Sequence, residues 1–262
     1  MSQADDLLRA GDLGGARAAL VDLVRGQPSN EQARMFLFQL LAVTGEWDKA
    51  RTQLQGLAQL SPEAQMLSVT YGQAIEAEKQ RAAVFAGAAD MPLLAGEGGW
   101  AEGIARAISL GARGDHAGAN GARDAAFDQA PDMPGKVNGR AFEWLADADS
   151  RFGPTIEAIV GGKYGLLPLD AVAAITSEGP RDLRDTVWYP VQIAFKTGQS
   201  AAAFLPARYP GTEESQDDGL RTGRKTEWID RDWGQEGSGQ RVLMFSDGDD
   251  LGLLDVRDLT FD

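Results

Sequence analysis

Residues 11–28, GDLGGARAALVDLVRGQP, and residues 45–62, GEWDKARTQLQGLAQLSP, are two copies of one pattern. Aligned on the leading glycine, Gly11 matches Gly45, Ala16 matches Ala50, Leu20 matches Leu54, Leu23 matches Leu57 and Pro28 matches Pro62, each pair 34 residues apart. A third copy starts at Gly114 (GDHAGANGARDAAFDQAP) and supplies Ala119, Ala126 and Pro131, 69 residues after the second. Each position has a physical reason. The glycine turns the chain where a left-handed backbone costs least. The small alanine lets the following helix lie close to its neighbour. The leucines, three residues apart, share one stripe of that helix. The proline cannot continue a helix and closes the unit.

A 34-residue period of this kind is the tetratricopeptide pattern of paired helices. The stretches before the glycines fit the first helix of each pair: 4–10 (ADDLLRA) and 31–43 (EQARMFLFQLLAV). The second has Met35, Phe36, Phe38, Leu40, Leu41 and Val43, apolar enough for burial almost all round. The repeat expected near 65–98 is degenerate. Lys79 stands where a turn glycine is wanted, and 64–86 reads as one unbroken helix. A Gly/Pro loop over 87–99 follows, and Trp100 opens the next helix. Stacked hairpins leave a concave face suited to a peptide or helix from a partner and rarely carry chemistry. His116, the single histidine, falls in the polar turn of the third hairpin.

Past Pro134-Gly135 the period changes. TIEAIV (155–160) and KYGLLP (163–168) flank Gly161-Gly162, a two-residue hairpin turn. AVAAIT (171–176) can add a strand. VWYPVQIAFK (187–196) and QSAAAFL (199–205) flank Thr197-Gly198, with Pro190 marking an edge or bulge. QRVLMFS (240–246) and LGLLDV (251–256) flank an acidic turn. Six or seven such strands predict an antiparallel sheet or small open barrel. AFEWLADAD (141–149) reads as a helix docking the two halves. The fold class expected is α+β: tetratricopeptide-like hairpins over 1–134, then a mainly antiparallel β-rich domain over 138–262.

Composition narrows the function. The 262 residues carry 25 Lys+Arg against 39 Asp+Glu, a net charge of −14. Residues 1–137 hold net −5 and 138–262 net −9. Such an acid is repelled by phosphate, so nucleic acid is not an expected partner. With no Cys and one His, thiol chemistry, disulfides and multi-histidine metal sites are excluded. The opening Met1-Ser-Gln-Ala-Asp-Asp has no basic segment leading into an apolar core, and no signal peptide is expected. The longest apolar run, 35–43, is too short to cross about 30 Å of hydrocarbon. The expectation is a cytoplasmic protein without membrane insertion.

Few constellations suggest chemistry. If 141–149 is helical, Glu143 and Asp147 share a face, with Asp149 nearby. Paired carboxylates can hold a divalent ion or run acid–base hydrolysis. The competing reading pairs them with Arg140 and Arg151. Arg181-Asp182-Leu183-Arg184-Asp185 alternates sign; a buried ion-pair network is one reading, and a solvated loop is the one preferred. Leu205-Pro-Ala-Arg-Tyr-Pro-Gly211 is read as a rigid loop presenting Arg208 and Tyr209, types common in recognition. DGDDLGLLDVRD (247–258) partly imitates a calcium loop, but Leu251 stands where an oxygen ligand is needed, and a β-turn explains it. No phosphate-binding glycine loop and no G-x-S-x-G elbow occurs. Four of six Trp, at 144, 188, 228 and 233, lie in the second half.

Motifs across nearly the whole chain carry a resemblance. They are Phe36-Leu-Phe-Gln-Leu-Leu followed by Gly45-Glu-Trp47-Asp-Lys-Ala50, Phe142-Glu-Trp144-Leu-Ala-Asp147-Ala-Asp149-Ser-Arg151, and Asp182-Leu-Arg184-Asp185-Thr-Val-Trp188. They continue in Pro206-Ala-Arg208-Tyr209-Pro210-Gly211, Arg224-Lys-Thr-Glu227-Trp228 and Gly239-Gln-Arg241. The chain resembles the ImpE family of bacterial type VI secretion accessory proteins, also called TagJ or SciE-type. Leu205-Pro206-Ala207-Arg208-Tyr209 departs mildly from the Ile or Val-Pro-Thr-Arg-Tyr of that family. The resemblance implies a non-enzymatic adaptor with no catalytic residue, cofactor or metal. Its partner would be the amphipathic N-terminal helix of the small contractile-sheath subunit, and it would act alongside the sheath-disassembly ATPase. The candidate partner-binding residues are Trp144, Asp147, Asp149, Arg151, Arg184, Trp188, Arg208, Tyr209 and Trp228. Two alternatives stand beside this: a structural interaction protein with another partner, and a carboxylate- or metal-dependent hydrolase. The oligomeric state is left open.

Overall fold

The computed structural model describes residues 2–96, 99–231 and 234–262; Trp233 lies outside them. Seven helices come first: α1 (Ser2–Arg9), α2 (Leu13–Gly26), α3 (Glu31–Val43), α4 (Trp47–Ala58), α5 (Pro62–Phe85), α6 (Trp100–Ala112) and α7 (His116–Phe127). The repeat glycines do what their spacing predicts. Gly11, Gly45 and Gly114 have φ of 83°, 69° and 85° and join α1–α2, α3–α4 and α6–α7. Side chains close the exposed first turns: Asp12 accepts from Gly15 N, Asn30 from Ala33 N, Ser61 from Ala64 N and Asp115 from Gly118 N. Ala16 and Ala50 are wholly buried between paired helices. Pro62 marks the first turn of α5, after α4 has ended, a position where its missing N–H costs nothing. His116 is the first residue of α7. With no glycine near Lys79, α5 runs 24 residues without a break.

The described residues of the β half form thirteen strands and a short helix, beginning with β1 (Gly135–Val137), β2 (Arg140–Phe142), β3 (Leu145–Asp147), β4 (Thr155–Val160), β5 (Lys163–Pro168), β6 (Val172–Thr176), β7 (Trp188–Phe195), β8 (Ser200–Pro206), then α8 (Asp218–Arg221), β9 (Thr226–Arg231), β10 (Gly234–Gly239) and β11 (Val242–Phe245). Two more, β12 (Asp250–Gly252) and β13 (Asp258–Phe261), complete it. The main sheet is ordered β2-β1-β13-β6-β7-β8-β4-β5, with β12-β11-β3 and the ribbon β10-β9 beside it. Every strand pairing is antiparallel. The hairpins turning at Gly161-Gly162 and Thr197-Gly198 form as expected. β7 is an internal strand, but its ladder to β6 stops at the Thr176–Gln192 pair, short of Pro190, so the missing N–H breaks no bond there.

The helix expected over 141–149 is absent. The segment forms β2 and β3 across a tight corner, because Phe142, at the end of one strand, and Leu145, at the start of the next, are both buried: Phe142 packs on Phe245 and Phe261. Asp147, Ala146 and Leu145 pair with β11. Glu143 is exposed and Asp147 buried, so the two share no helical face.

The two halves share a core. Seven consecutive residues of α3, Leu37 to Val43, are buried. One side meets the neighbouring hairpins; another meets the chain's own β half. Trp188 is fully buried, its ring 6.4 Å from Phe38, 5.8 Å from Trp47 and 5.6 Å from Tyr71. The single turn over 183–186 lies on α3. The open concave face expected of the hairpins is therefore partly filled by the protein itself.

Gly45 and Gly114 share a backbone conformation but not an environment. A Cβ at Gly45 would sit 2.8 Å from Glu213 Cγ, whereas Gly114 faces open space. Gly114→Ala is expected to cost about 1 kcal/mol and Gly45→Ala about 1–3 kcal/mol, the excess being the displaced Glu213. Urea denaturation of the two variants measures the difference.

Candidate functional site

What remains open on the helical face is a groove of about 620 Å³ at the N-terminal ends of α3 and α5. Leu8 of α1, Met35 and Phe36 of α3, Leu67 of α5 and Leu183 of the β half are half-buried along it. Asp5, Glu31 and Glu63 line it too, the last two exposed. Leu8, Met35, Phe36 and Leu67 are on the first helices of successive hairpins, the members that line a concave face. The floor is apolar and every charge along it is negative. That combination fits one apolar stripe of an amphipathic helix with basic flanks.

Arg184 ties this groove to the β half. Asp182 caps the 183–186 turn, and the Asp185 carboxylate accepts from its backbone in return. This capping box projects Arg184 onto α3 and α5. Its guanidinium pairs with Asp182 at 2.8 Å, lies 4.7 Å from the Tyr71 ring centre and reaches Met35 Sδ at 3.7 Å.

Behind it, a buried ionic network joins the halves. Arg241 is fully buried and donates to both Asp147 and Glu157. Glu157, fully buried on β4, also accepts from Arg81 of α5 at 2.8 and 2.9 Å and from the Tyr164 hydroxyl at 2.5 Å. Burial alone would raise the Glu157 pKa, but Arg81 and Arg241 outweigh it and hold the group at about 2. Asp147 goes the other way: burial pushes it up to about 6 against the pull of Arg241. Glu78, one turn before Arg81, is raised by burial and accepts from Trp188 Nε1 at 3.0 Å.

Most of the residues singled out from sequence belong to this interior. Tyr209 is fully buried; its hydroxyl donates to Asp147 Oδ1 at 2.9 Å and accepts from Val242 N at 3.1 Å. Arg208 is buried and caps the C-terminal end of α3, donating to Val43 O at 2.8 Å and to Arg221 O. Burial lowers its pKa to about 10, opposed by Glu213 and Glu78. The 205–211 segment thus turns Arg208 and Tyr209 inward rather than presenting them. Asp149 takes the Arg151 guanidinium at 2.6 Å and the Gly237 amide at 2.9 Å. Trp144 and Trp228 are different, at 38% and 37% exposure. The carboxylates proposed for hydrolysis do not converge: Asp147 and Asp149 are each held by an arginine, and Glu143 faces solvent. Among the described residues no group of three His, Asp or Glu is placed to hold a metal ion.

Sequence reasoning missed Glu78, Arg81, Glu157 and Tyr164. The signals were a Glu-x-x-Arg pair on one helix face and a single carboxylate inside the apolar run TIEAIV, which burial leaves no choice but to pair.

A stack of tetratricopeptide-type hairpins fused through a charged core to an antiparallel β half defines an α+β helical-repeat protein. The tetratricopeptide repeat family matches residues 7–70, and the family described as ImpE protein matches 139–260. The chain is 44% identical over 259 residues to the type VI secretion system accessory component TagJ of Pseudomonas aeruginosa, covering 99% of this chain and 91% of that one. A crystal structure of protein VPA1032 from Vibrio parahaemolyticus has the same fold, with a TM-score of 0.88 at 21% identity, covering 99% of this chain and 97% of that one. The protein belongs to the ImpE family.

Glu157→Gln leaves two buried guanidiniums short of a carboxylate. It is expected to cost about 3–5 kcal/mol, lowering Tm by about 6–20 °C. The folded pKa of Glu157 lies below its ordinary 4.5, so its stabilisation is complete above 4.5 and is lost as the pH falls towards 2. The Tm gap between wild type and Glu157→Gln is therefore expected to narrow as the pH is lowered through that window, as followed by thermal melts.

Proposed function

We propose that the protein is a non-enzymatic, cytoplasmic adaptor of bacterial type VI secretion whose helical groove receives the amphipathic N-terminal helix of the small contractile-sheath subunit. The observation that carries this is the groove: half-buried apolar side chains on α1, α3 and α5, with Asp5, Glu31 and Glu63 beside them. A helix about 10 Å across can set residues at i, i+3, i+4 and i+7 against such a floor. Relatedness to a named accessory component of that secretion system supports the setting. No helix among the described residues is long and apolar enough to cross a membrane. We read residues 1–134 as the recognition domain and 138–262 as its brace, with Leu183 and Arg184 reaching across. Of the candidate contact residues, Trp144 and Trp228 are free to meet a partner as they stand. Asp147, Asp149, Trp188, Arg208 and Tyr209 act from behind, by fixing the helices that form the groove.

The test is capture of the sheath subunit with and without its first helix. Loss of binding on deletion is expected; undiminished binding overturns the reading. Leu67→Glu, on the half-buried groove wall, is expected to weaken binding of a peptide of that helix by about tenfold or more, with a Tm loss of about 2–8 °C that leaves the chain folded. Fluorescence anisotropy measures it.

A further inference from the structure

The helical groove holds one residue that its apolar floor does not explain. Leu37 to Val43 are seven consecutive buried residues of α3, and Gln39 is the one polar side chain among them. Gln39 is only 9% exposed, yet it lines the groove. Met35 and Phe36, four and three residues earlier, share its helix face, and Gln32, two turns earlier, is exposed at the rim. Gln39 is the most deeply buried member of that stripe. A carboxamide brings two N–H donors and a carbonyl acceptor. Among the described residues none hydrogen-bonds to this one. Its polar atoms are not sealed beneath the surface; they open to the groove. A buried polar group without a partner costs free energy, and a leucine or methionine at this position would avoid that cost.

We propose that Gln39 is the specificity-determining residue of the groove: it selects a helix whose apolar stripe is interrupted by one uncharged hydrogen-bonding side chain, an amide or a hydroxyl. The inference rests on the reading of the groove as a helix-docking site. While the groove is empty, solvent reaches the amide. A helix closing over it removes that solvent. An unbroken leucine stripe leaves the amide desolvated and unpaired, whereas an amide or hydroxyl opposite it restores a partner. A charged side chain in that place would lose its hydration against an apolar floor. The same contact sets register. Apolar side chains are nearly indifferent to a slide of one helical turn, about 5.4 Å, but a single buried polar contact is met in one register only.

The probe is a peptide of the sheath subunit's first helix, titrated by fluorescence anisotropy against wild type, Gln39→Met and Leu67→Glu. Methionine keeps an unbranched side chain of similar length and offers no donor. Gln39→Met is expected to weaken the peptide about tenfold. Its Tm is expected to be equal or higher, since an unpaired polar group leaves an apolar site; a merely structural role would lower it. In a peptide series, each polar residue of the apolar face is changed to Leu in turn. One member is expected to bind wild type about tenfold more weakly than the parent peptide, yet to bind Gln39→Met at least as tightly as the parent does. Gln39→Leu, of a different shape, repeats the comparison, and thermal melts confirm that each variant is folded. Undiminished binding of the parent peptide to Gln39→Met overturns the proposal. So does a loss that is the same for every peptide, which would mean packing alone. In both cases a loss in Leu67→Glu still reports helix docking in the groove. Undiminished binding to Leu67→Glu overturns the groove reading itself, and this proposal with it.

Discussion

Arg241 has no solvent exposure, and a guanidinium does not shed its proton inside a protein. Everything around it follows from that. A buried cation must be met by carboxylates, and here Asp147 and Glu157 approach from different strands. Glu157 then carries more negative charge than one arginine uses, and Arg81 arrives from α5 to share it. The result is a chain of charges from the small sheet, through the main sheet, into the longest helix. Removing one member leaves the others uncompensated, so the helices and the β half cannot be displaced independently at low cost. An apolar plug of equal shape often holds a junction as well in energy, whereas removing one member of a buried pair leaves an uncompensated charge.

Around that polar centre lies an aromatic ring of contacts. Trp188 fills the space between Phe38, Trp47 and Tyr71, and its one donor finds Glu78. Arg208 completes the seam by satisfying the last carbonyl of α3. These contacts divide the inner face of the hairpins. The part near Trp188 is filled by the protein itself. The part near Met35 and Leu67 stays open, with Leu183 as its far wall. The groove is therefore composite: helical side chains form its floor and Leu183 of the β half its far wall.

Much of the helical half is readable from residue order alone. Glycines 34 residues apart, each followed by an acidic residue, require turns. The unbroken 62–85 helix follows from Lys79 in place of a glycine. The β hairpins at Gly161-Gly162 and Thr197-Gly198 are equally local. By contrast, 141–149 has good helical composition and still forms two strands. Its apolar residues have partners, Phe245 and Phe261, that lie over a hundred positions away. The same distance hides the site: Arg184, Arg208 and Tyr209 are recognition-type residues by composition, yet tertiary partners draw two of them inward.

The amino-acid order by itself determined the repeat, its turns, the acidic character and the absence of thiol chemistry, because these depend on residues within one period or on totals. The tertiary structure alone decided which carboxylates are paired, which aromatics are sealed and where the hairpin face stays open. Pairing and burial are properties of contacts between distant segments, and spacing along one chain does not encode which segment arrives.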